Sequence, residues 1–412
     1  MSGQRHRYRE VFFAALKLGM TSFGGPIAHI GFFRDEYVQR RKWLDERTFA
    51  DMVGLCQMLP GPSSSQLGIG IGLYRAGWKG AVLAWLAFTL PSAVAMAAFA
   101  LIVQRYPFAD ASPGWLRGLH IAALAVVAQA VWGMARTLAP DAVRGTLAIG
   151  TAVAALLIPG TVGQIVPLVC SGLLGLRLFR TPKSAGSASA DGRLHLQAAE
   201  IGTNSSHRPR MRWAYAALSA FIGCLLLLPL LRHLFPGRLW LALADSFYRA
   251  GSLVFGGGHV LLPMLEQETV SHGWLAREQF MAGYGAVQAV PGPMFTFSAY
   301  IGALAGHGGM SVFYAALALT AIFLPSFLLI AAAIPHMHRL REHAKFRAAL
   351  TGVNASVVGI LLAALYDPVW VDAVRTPLDF CIALAAFAML ALWKAPPWIV
   401  VLFAALAGIV LL

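Results

Sequence analysis

The chain reads as an all-α polytopic membrane protein made of two inverted-topology repeats, and three observations predict it: composition, a recurring series of broken apolar segments, and the placement of basic residues. Of 412 residues, 58% are hydrophobic and 12% charged, with a mean hydropathy of +0.66. A soluble chain carries about twice that charged fraction, and this one could not cover its surface with polar side chains. The 41 glycines and 22 prolines fit membrane helices, which tolerate both better than soluble helices do. The net charge of +14 lies in short clusters between apolar runs (Arg5/Arg7/Arg9, Arg40-Arg41-Lys42, Arg208/Arg210/Arg212, Arg339/Arg341/Lys345/Arg347). That pattern marks cytoplasmic loops and excludes a nucleic-acid surface, which would gather its charge on one soluble domain.

A continuous span needs about 20 mostly apolar residues. Residues 78–103, 115–135, 214–235, 311–335 and 346–366 meet this, and 143–178 and 378–412 are each long enough for a tight pair of short helices. Pro159-Gly160 breaks the first pair, and the stretch from Lys394 to Pro397 breaks the second. Residues 179–213, rich in Ser, Gly, Arg and His, read as a flexible cytoplasmic linker. Four apolar segments are interrupted midway: 11–33 at Gly24-Gly25-Pro26, 50–73 at Pro60-Gly61-Pro62, 239–265 at Gly256-Gly257-Gly258, and 280–305 at Pro291-Gly292-Pro293. Broken backbone at membrane depth is tolerated only inside protein or beside a water-filled cavity, so function is expected there.

The breaks recur in order. Gly19, Phe23, Gly24 and Gly25 match Gly251, Phe255, Gly256 and Gly257, and Glu36 and Val38 match Glu268 and Val270. Trp43-Leu44, Gln57 and Pro60-Gly61-Pro62 return as Trp274-Leu275, Gln288 and Pro291-Gly292-Pro293, and Leu90-Pro91-Ser92 returns as Leu324-Pro325-Ser326. This divides the chain into an N-terminal repeat (1–178), the linker (179–213), one connecting transmembrane helix (214–238) and a C-terminal repeat (239–412). Loop 34–47 carries five basic residues, whereas its counterpart 266–278 carries only Arg277 against Glu266, Glu268 and Glu278; the next pair of loops reverses the bias. Equivalent loops therefore face opposite sides of the membrane. Each repeat is expected to hold two re-entrant hairpins and about four spans. The competing arrangement, in which every broken segment crosses fully, would put Arg75 and Lys79 outside. Inverted repeats with discontinuous helices are a common build of secondary transporters.

A helix that starts inside the bilayer aims unpaired N–H groups and the positive end of its dipole at the cavity. Ser22, Gly24, Gly25 and Pro26, then Pro60, Gly61, Pro62, Ser63, Ser64 and Ser65, have the composition of such starts. Gly256, Gly257 and Gly258, with Pro291, Gly292, Pro293 and Thr296, supply the mirror set. Converging, they would form an anion site of backbone donors. Lys17 and Arg249 occupy equivalent positions before the breaks, at depths where charge is costly and usually functional. The paired Gln57 and Gln288 would orient substrate or brace the hairpins. Asp51, Glu36, Glu268, His29 and His259 are candidate proton carriers. Gly68-x-Gly70-x-Gly72 is no P-loop, since no Gly-Lys-Ser/Thr follows it. His336-x-His338 with His343 lacks the companions of a metal site, and no catalytic constellation occurs, so the chain is not expected to be an enzyme.

The run from Lys17 to Pro26, Arg41-Lys42-Trp43-Leu44 and Gln57-Met58-Leu59-Pro60-Gly61-Pro62 resembles the chromate ion transporter family, in its long two-domain form. The segments from Phe255 to His259 and from Gln288 to Pro293 resemble that family's second-half versions. The resemblance implies a multi-pass protein of the bacterial inner membrane that exports chromate and confers chromate resistance. Sulfate is a dianion of the same shape, so transport of sulfate or another oxyanion is the alternative, and an anion channel is a further one. The expected partners are the oxyanion, a coupling proton, the lipid bilayer and a second copy of the chain in a homodimer, with no cofactor, metal or nucleic acid.

Overall fold

The computed structural model describes residues 2–23, 25–105, 114–158, 161–179, 211–255, 261–306, 308–336 and 344–411, among which there is no strand. The first repeat comprises α1 (Ser2–Thr21), α2 (Gly25–Phe33), α3 (Glu46–Met58), α4 (Ser63–Val103), α5 (Gly114–Leu138), α6 (Ala142–Leu157) and α7 (Thr161–Leu178). Helix α8 (Met211–Leu234) connects it to the second, made of α9 (Leu239–Leu253), α10 (Leu261–Val270), α11 (Arg277–Val287), α12 (Phe297–Ala305), α13 (Ser311–Ala333), α14 (Ala344–Ala364), α15 (Pro377–Ala391) and α16 (Pro397–Leu411). The expected spans and both tight pairs are present as helices. The break at Pro159-Gly160 and linker residues 180–210 lie outside the described residues.

The 41 residues of α4 form two helices folded back on each other. The reversal sits at Ala76 (φ −143°, ψ 18°) and Gly77 (φ +68°), a conformation that glycine adopts without steric cost. Gly72 and Gly80 face each other across it, and a Cβ on either would strike the carbonyl of the other. The second repeat does the same with α12 and α13, where Gly302 packs on the Tyr314 carbonyl.

Contacts fix the direction of each hairpin. Arg75 binds Glu10 at 2.9 Å, and the guanidinium groups of Arg41 and Arg75 lie 5.3 and 5.1 Å from the Trp43 ring centre. Residues 10, 41–43 and 75 therefore share one end of the molecule, although a break separates each from the next. The chain turns back at both breaks. In the second repeat the Tyr300 hydroxyl donates to the Gln279 carbonyl at 2.6 Å, closing α11 against α12 in the same way. Gln104, at the far end of α4, donates to the Ala303 carbonyl of α12 at 2.8 Å. Thus the second repeat's hairpins open at the end opposite to the first's, as inversion requires.

The repeats also exchange helices. Helix α5 packs between α15 and α16 of the other half, with Gly114 against Gly408 and Gly118 against Ala404, and α14 packs on α6 and α7 through Gly359–Ala148 and Gly352–Ser171. Small residues permit this approach, the usual basis of helix association in lipid. Arg117 locks one seam by gripping Asp379 with 2.9 Å contacts to both carboxylate oxygens. Among the described residues, five helices are long and apolar enough to cross a membrane, and α6, α7, α15 and α16 contain shorter apolar stretches. The protein is a multi-pass membrane protein. One expected loop differs: Arg34–Arg40 is a π-helical turn that continues α2, with Glu36 bonded to Lys17 and Arg41.

Candidate anion site

Each Pro-Gly-Pro turn docks on the break of the opposite repeat. The Gly61 N–H donates to the Val254 carbonyl at 2.6 Å, and the Gly292 N–H donates to the Ser22 carbonyl at 2.9 Å. Both glycines have positive φ, +111° and +100°. A Cβ at Gly61 would come within 3.2 Å of Ser326 Oγ, and one at Gly292 within 3.0 Å of Ser92 Oγ. The recurring Leu-Pro-Ser motif thus supplies the small residue under each turn. Gly19 and Gly251, its equivalent, pack on the carbonyls of Phe88 and Ile322.

One thread of contacts links the breaks. Gly292 meets Ser22 and Phe88; Phe88 meets the His29 ring edge-on at 5.6 Å; His29 Nδ1 lies 3.2 Å from Ser64 Oγ; and Ser64 opens the helix that follows Gly61. The imidazole also lies beside the Ser22 backbone. Pro62 is the N-cap of α4 and provides no side-chain cap, so most N–H groups of its first turn lack helical acceptors.

Around this thread, buried polar atoms stand without protein partners: Ser22 Oγ, His29 Nε2, Ser65 Oγ, Gln66 Oε1, Thr89 Oγ1 and Ser326 Oγ. None of these residues is more than 2% exposed. A buried polar group left unsatisfied costs about 1–3 kcal/mol, so these atoms call for a polar partner that the protein itself does not supply. Gln66 is held in place by its amide, which donates to the Pro60 carbonyl at 2.6 Å.

The remaining sequence candidates fall elsewhere or take structural partners. Lys17 Nζ lies 2.6 Å from Glu36, which also meets Arg41 at 2.8 Å and Arg40 at 3.5 Å. The mirror residue Arg249 meets Glu268 at 3.1 Å and Asp245 at 2.8 Å, with Arg232 joining both carboxylates. These pairs tie each hairpin together at its open end. Burial opposes charge on Glu36, and the bonds from Lys17 and Arg41 outweigh it, holding the carboxyl below its usual range. The same balance, with Arg249, Ser246 and Arg232 as donors, lowers Glu268.

Gln57 is exposed, whereas Gln288 is buried and points its amide at Met294 Sδ, 3.9 Å away. Thr296 is buried but satisfied, donating to the Pro293 carbonyl at 2.9 Å. Asp51 is half-buried on α3, Ser63 is half-buried beside Ser64, and Pro26 lies in the first turn of α2. Gly25 has φ +78° and open space where a Cβ would stand. Gly24, Gly256, Gly257, Gly258 and His259 lie outside the described residues. Sequence reasoning passed over Gln66, Thr89 and Ser326 as site residues. The signal for the last two was the Leu-Pro-Ser repeat, which Thr89 closely precedes and which Ser326 ends. A crevice of about 920 Å³ reaches Leu59, Pro60 and Phe255 between α7, α8, α13 and α14; apart from Tyr215 and Lys345 its lining is apolar.

The sequence profile of the chromate transporter family matches residues 9–176 and 241–409. The chromate transport protein of Pseudomonas aeruginosa is 28% identical over 408 residues, covering 97% of this chain and 92% of that protein. A probable chromate transport protein of Synechococcus elongatus is 27% identical, with coverages of 96% and 93%. A chromate transport protein of Cupriavidus metallidurans is 25% identical, with coverages of 93% and 87%. No solved structure matches the chain.

Proposed function

The chain belongs to the chromate transporter family, and from that premise we propose that it is a secondary transporter exporting chromate across the bacterial inner membrane, with the oxyanion bound where the broken helices meet. The observation that carries this reading is the cluster of buried, unpartnered polar atoms beside an uncapped helix start. Neutral donors at a helix N-terminus suit a tetrahedral dianion, because they satisfy its oxygens while the dipole favours its charge.

Export is the direction physics favours. Moving a dianion out of a negative-inside cell gains roughly 4.6 kcal/mol per 100 mV, enough for roughly a thousandfold gradient without a coupling ion. Proton antiport would add to that drive. The basic loops of the first repeat mark the cytoplasmic face, so the first repeat's hairpins open inward and the second's outward. Removal of chromate from the cytoplasm is what makes the protein a resistance factor. The test is chromate flux in proteoliposomes under an imposed potential, with sulfate as competitor and a pH gradient as a separate arm. Potential-driven chromate movement, inhibited weakly by sulfate, supports the reading. Absence of chromate flux under every gradient, or single-channel currents far above carrier turnover, sinks it.

A further inference from the structure

The two repeats run through the same order of breaks and their docked turns make matching hydrogen bonds, yet the polar lining belongs almost wholly to one of them. Carrying the repeat alignment across, Ser22 corresponds to Val254, His29 to Leu261, Ser64 to Phe295, Gln66 to Phe297 and Thr89 to Phe323. All five second-repeat counterparts are buried. The one polar counterpart, Thr296 opposite Ser65, spends its hydroxyl on the Pro293 carbonyl. Helix α4 starts as an α-helix directly at Ser63, whereas the second repeat begins with a 3₁₀ turn, Met294–Thr296, before α12.

We propose that the protein holds a single oxyanion per chain, bound by the polar groups around the first repeat's break and the start of α4, with His29 as a principal side-chain donor. This rests on the oxyanion-transport reading and specifies its site. Two independent features carry it: the uncapped start of α4, and a histidine 2% exposed whose Nε2 has no partner. The Ser64 hydroxyl oxygen lies 3.2 Å from Nδ1. In this proposal that hydroxyl donates to Nδ1, which leaves the hydrogen of the neutral imidazole on Nε2 for an acceptor. Ser65 and Ser22 add hydroxyl donors from the same helix start and the same break.

No charged side chain among the described residues contacts the ring. Its packed neighbours are Ser64 and Phe88 of α4 and the Ser22 backbone, while the charges on the adjoining elements, Lys17 on α1, Glu36 and Arg41 beyond α2, and Arg75 on α4, are engaged with one another or with Glu10. Recognition therefore proceeds through hydrogen bonds to a full dianion, with the donor set deciding affinity.

The experiment is calorimetric titration of sodium chromate into the full chain in lipid nanodiscs, at a mildly alkaline pH where chromate is a dianion. One anion per chain is expected. His29→Leu should weaken binding about ten- to a hundredfold, because a donor to a charged group is lost. His29→Gln, whose amide still donates, should stay within about threefold of the unaltered protein. Ser65→Ala should weaken binding about three- to tenfold, while Thr296→Val leaves it within about twofold. Two anions per chain, His29→Gln as weak as His29→Leu, or equal losses from Ser65→Ala and Thr296→Val would each overturn the one-sided site. If His29→Leu fails to insert, the stoichiometry and the serine–threonine comparison still decide. Binding with the wrong pattern overturns this inference alone; a protein that binds neither chromate nor sulfate overturns the transport reading beneath it.

Discussion

Around Gly61 and around Gly292 the backbone does the same thing, and the side chains do not. Both glycines sit at positive φ, both N–H groups reach the opposite repeat's break, and both turns rest on a serine of a Leu-Pro-Ser motif. Yet the helix after Gly61 opens with Ser63-Ser64-Ser65-Gln66, and the one after Gly292 with Met294-Phe295-Thr296-Phe297. The hairpin ends differ too. Three cations surround Glu36, whereas Arg232 and Arg249 are balanced by Asp245 and Glu268. The difference teaches that the two copies share a scaffold while buried polar side chains concentrate in one of them. The excess positive charge lies on the side from which the first repeat's hairpins open, where it would attract an anion.

The scaffold half of this comparison breaks most easily by labelling. Gln39 and Ser271 are exposed on equivalent loops. In a cysteine-free background, a cysteine at Gln39 should react only from the cytoplasm and one at Ser271 only from outside. Labelling of both from the same side destroys the inversion. Next in size are the packing glycines. Gly19→Leu and Gly251→Leu each drive a side chain into a neighbouring backbone carbonyl. Each should cost about 1–3 kcal/mol or more and cut the monodisperse yield of both variants alike. A large asymmetry between them would mean that the repeats are not mechanically equivalent.

The chemical half is sharpened by smaller changes. Ser64→Ala removes the hydroxyl 3.2 Å from His29 Nδ1 and should weaken chromate affinity about three- to tenfold. Phe295→Leu, at the matching position, should lower the unfolding temperature with affinity unchanged. Acid sensitivity is a subtler probe. Glu36 and Glu268 are held below the ordinary carboxylate range in the folded protein, so their contribution is present above that range and lost as pH falls through the lowered value. Glu36→Gln and Glu268→Gln should therefore each flatten the acid side of a melting-temperature profile, which an unchanged profile would refute. The smallest expected effect is none: replacing 183–207 with a Gly/Ser stretch of equal length should keep flux within about twofold, because that composition cannot build a core.

Much of the scaffold was legible because its physics is local. Apolar length marks the spans, glycine and proline mark the breaks, and loop charge marks the sides, so 214–235 reads as a helix and α8 is there. The fold-back inside Ser63–Val103 was foreshadowed by Arg75 and Lys79 flanking the turn. Partner choice was not legible. Nothing near Lys17 or Arg249 in sequence reveals that Glu36 and Glu268, on the other limb of each hairpin, neutralise them. Likewise Thr296 and Ser65 look alike in a motif, and only the Pro293 carbonyl tells the satisfied hydroxyl from the free one. A residue's role in this site depends on what is left over after packing, which is a property of three dimensions.

The crossed hydrogen bonds from Gly61 to Val254 and from Gly292 to Ser22 carry a consequence for biogenesis. A nascent first repeat leaves the ribosome with its Pro-Gly-Pro turn facing no acceptor, and α5 without α15 and α16 to lie against. Until the second repeat has been inserted, those backbone groups must be served by water or by the insertion machinery. The junction of the breaks is therefore finished only after the second repeat is in place, and a truncated product that has inserted its early helices correctly would still be an unsealed, protease-sensitive intermediate.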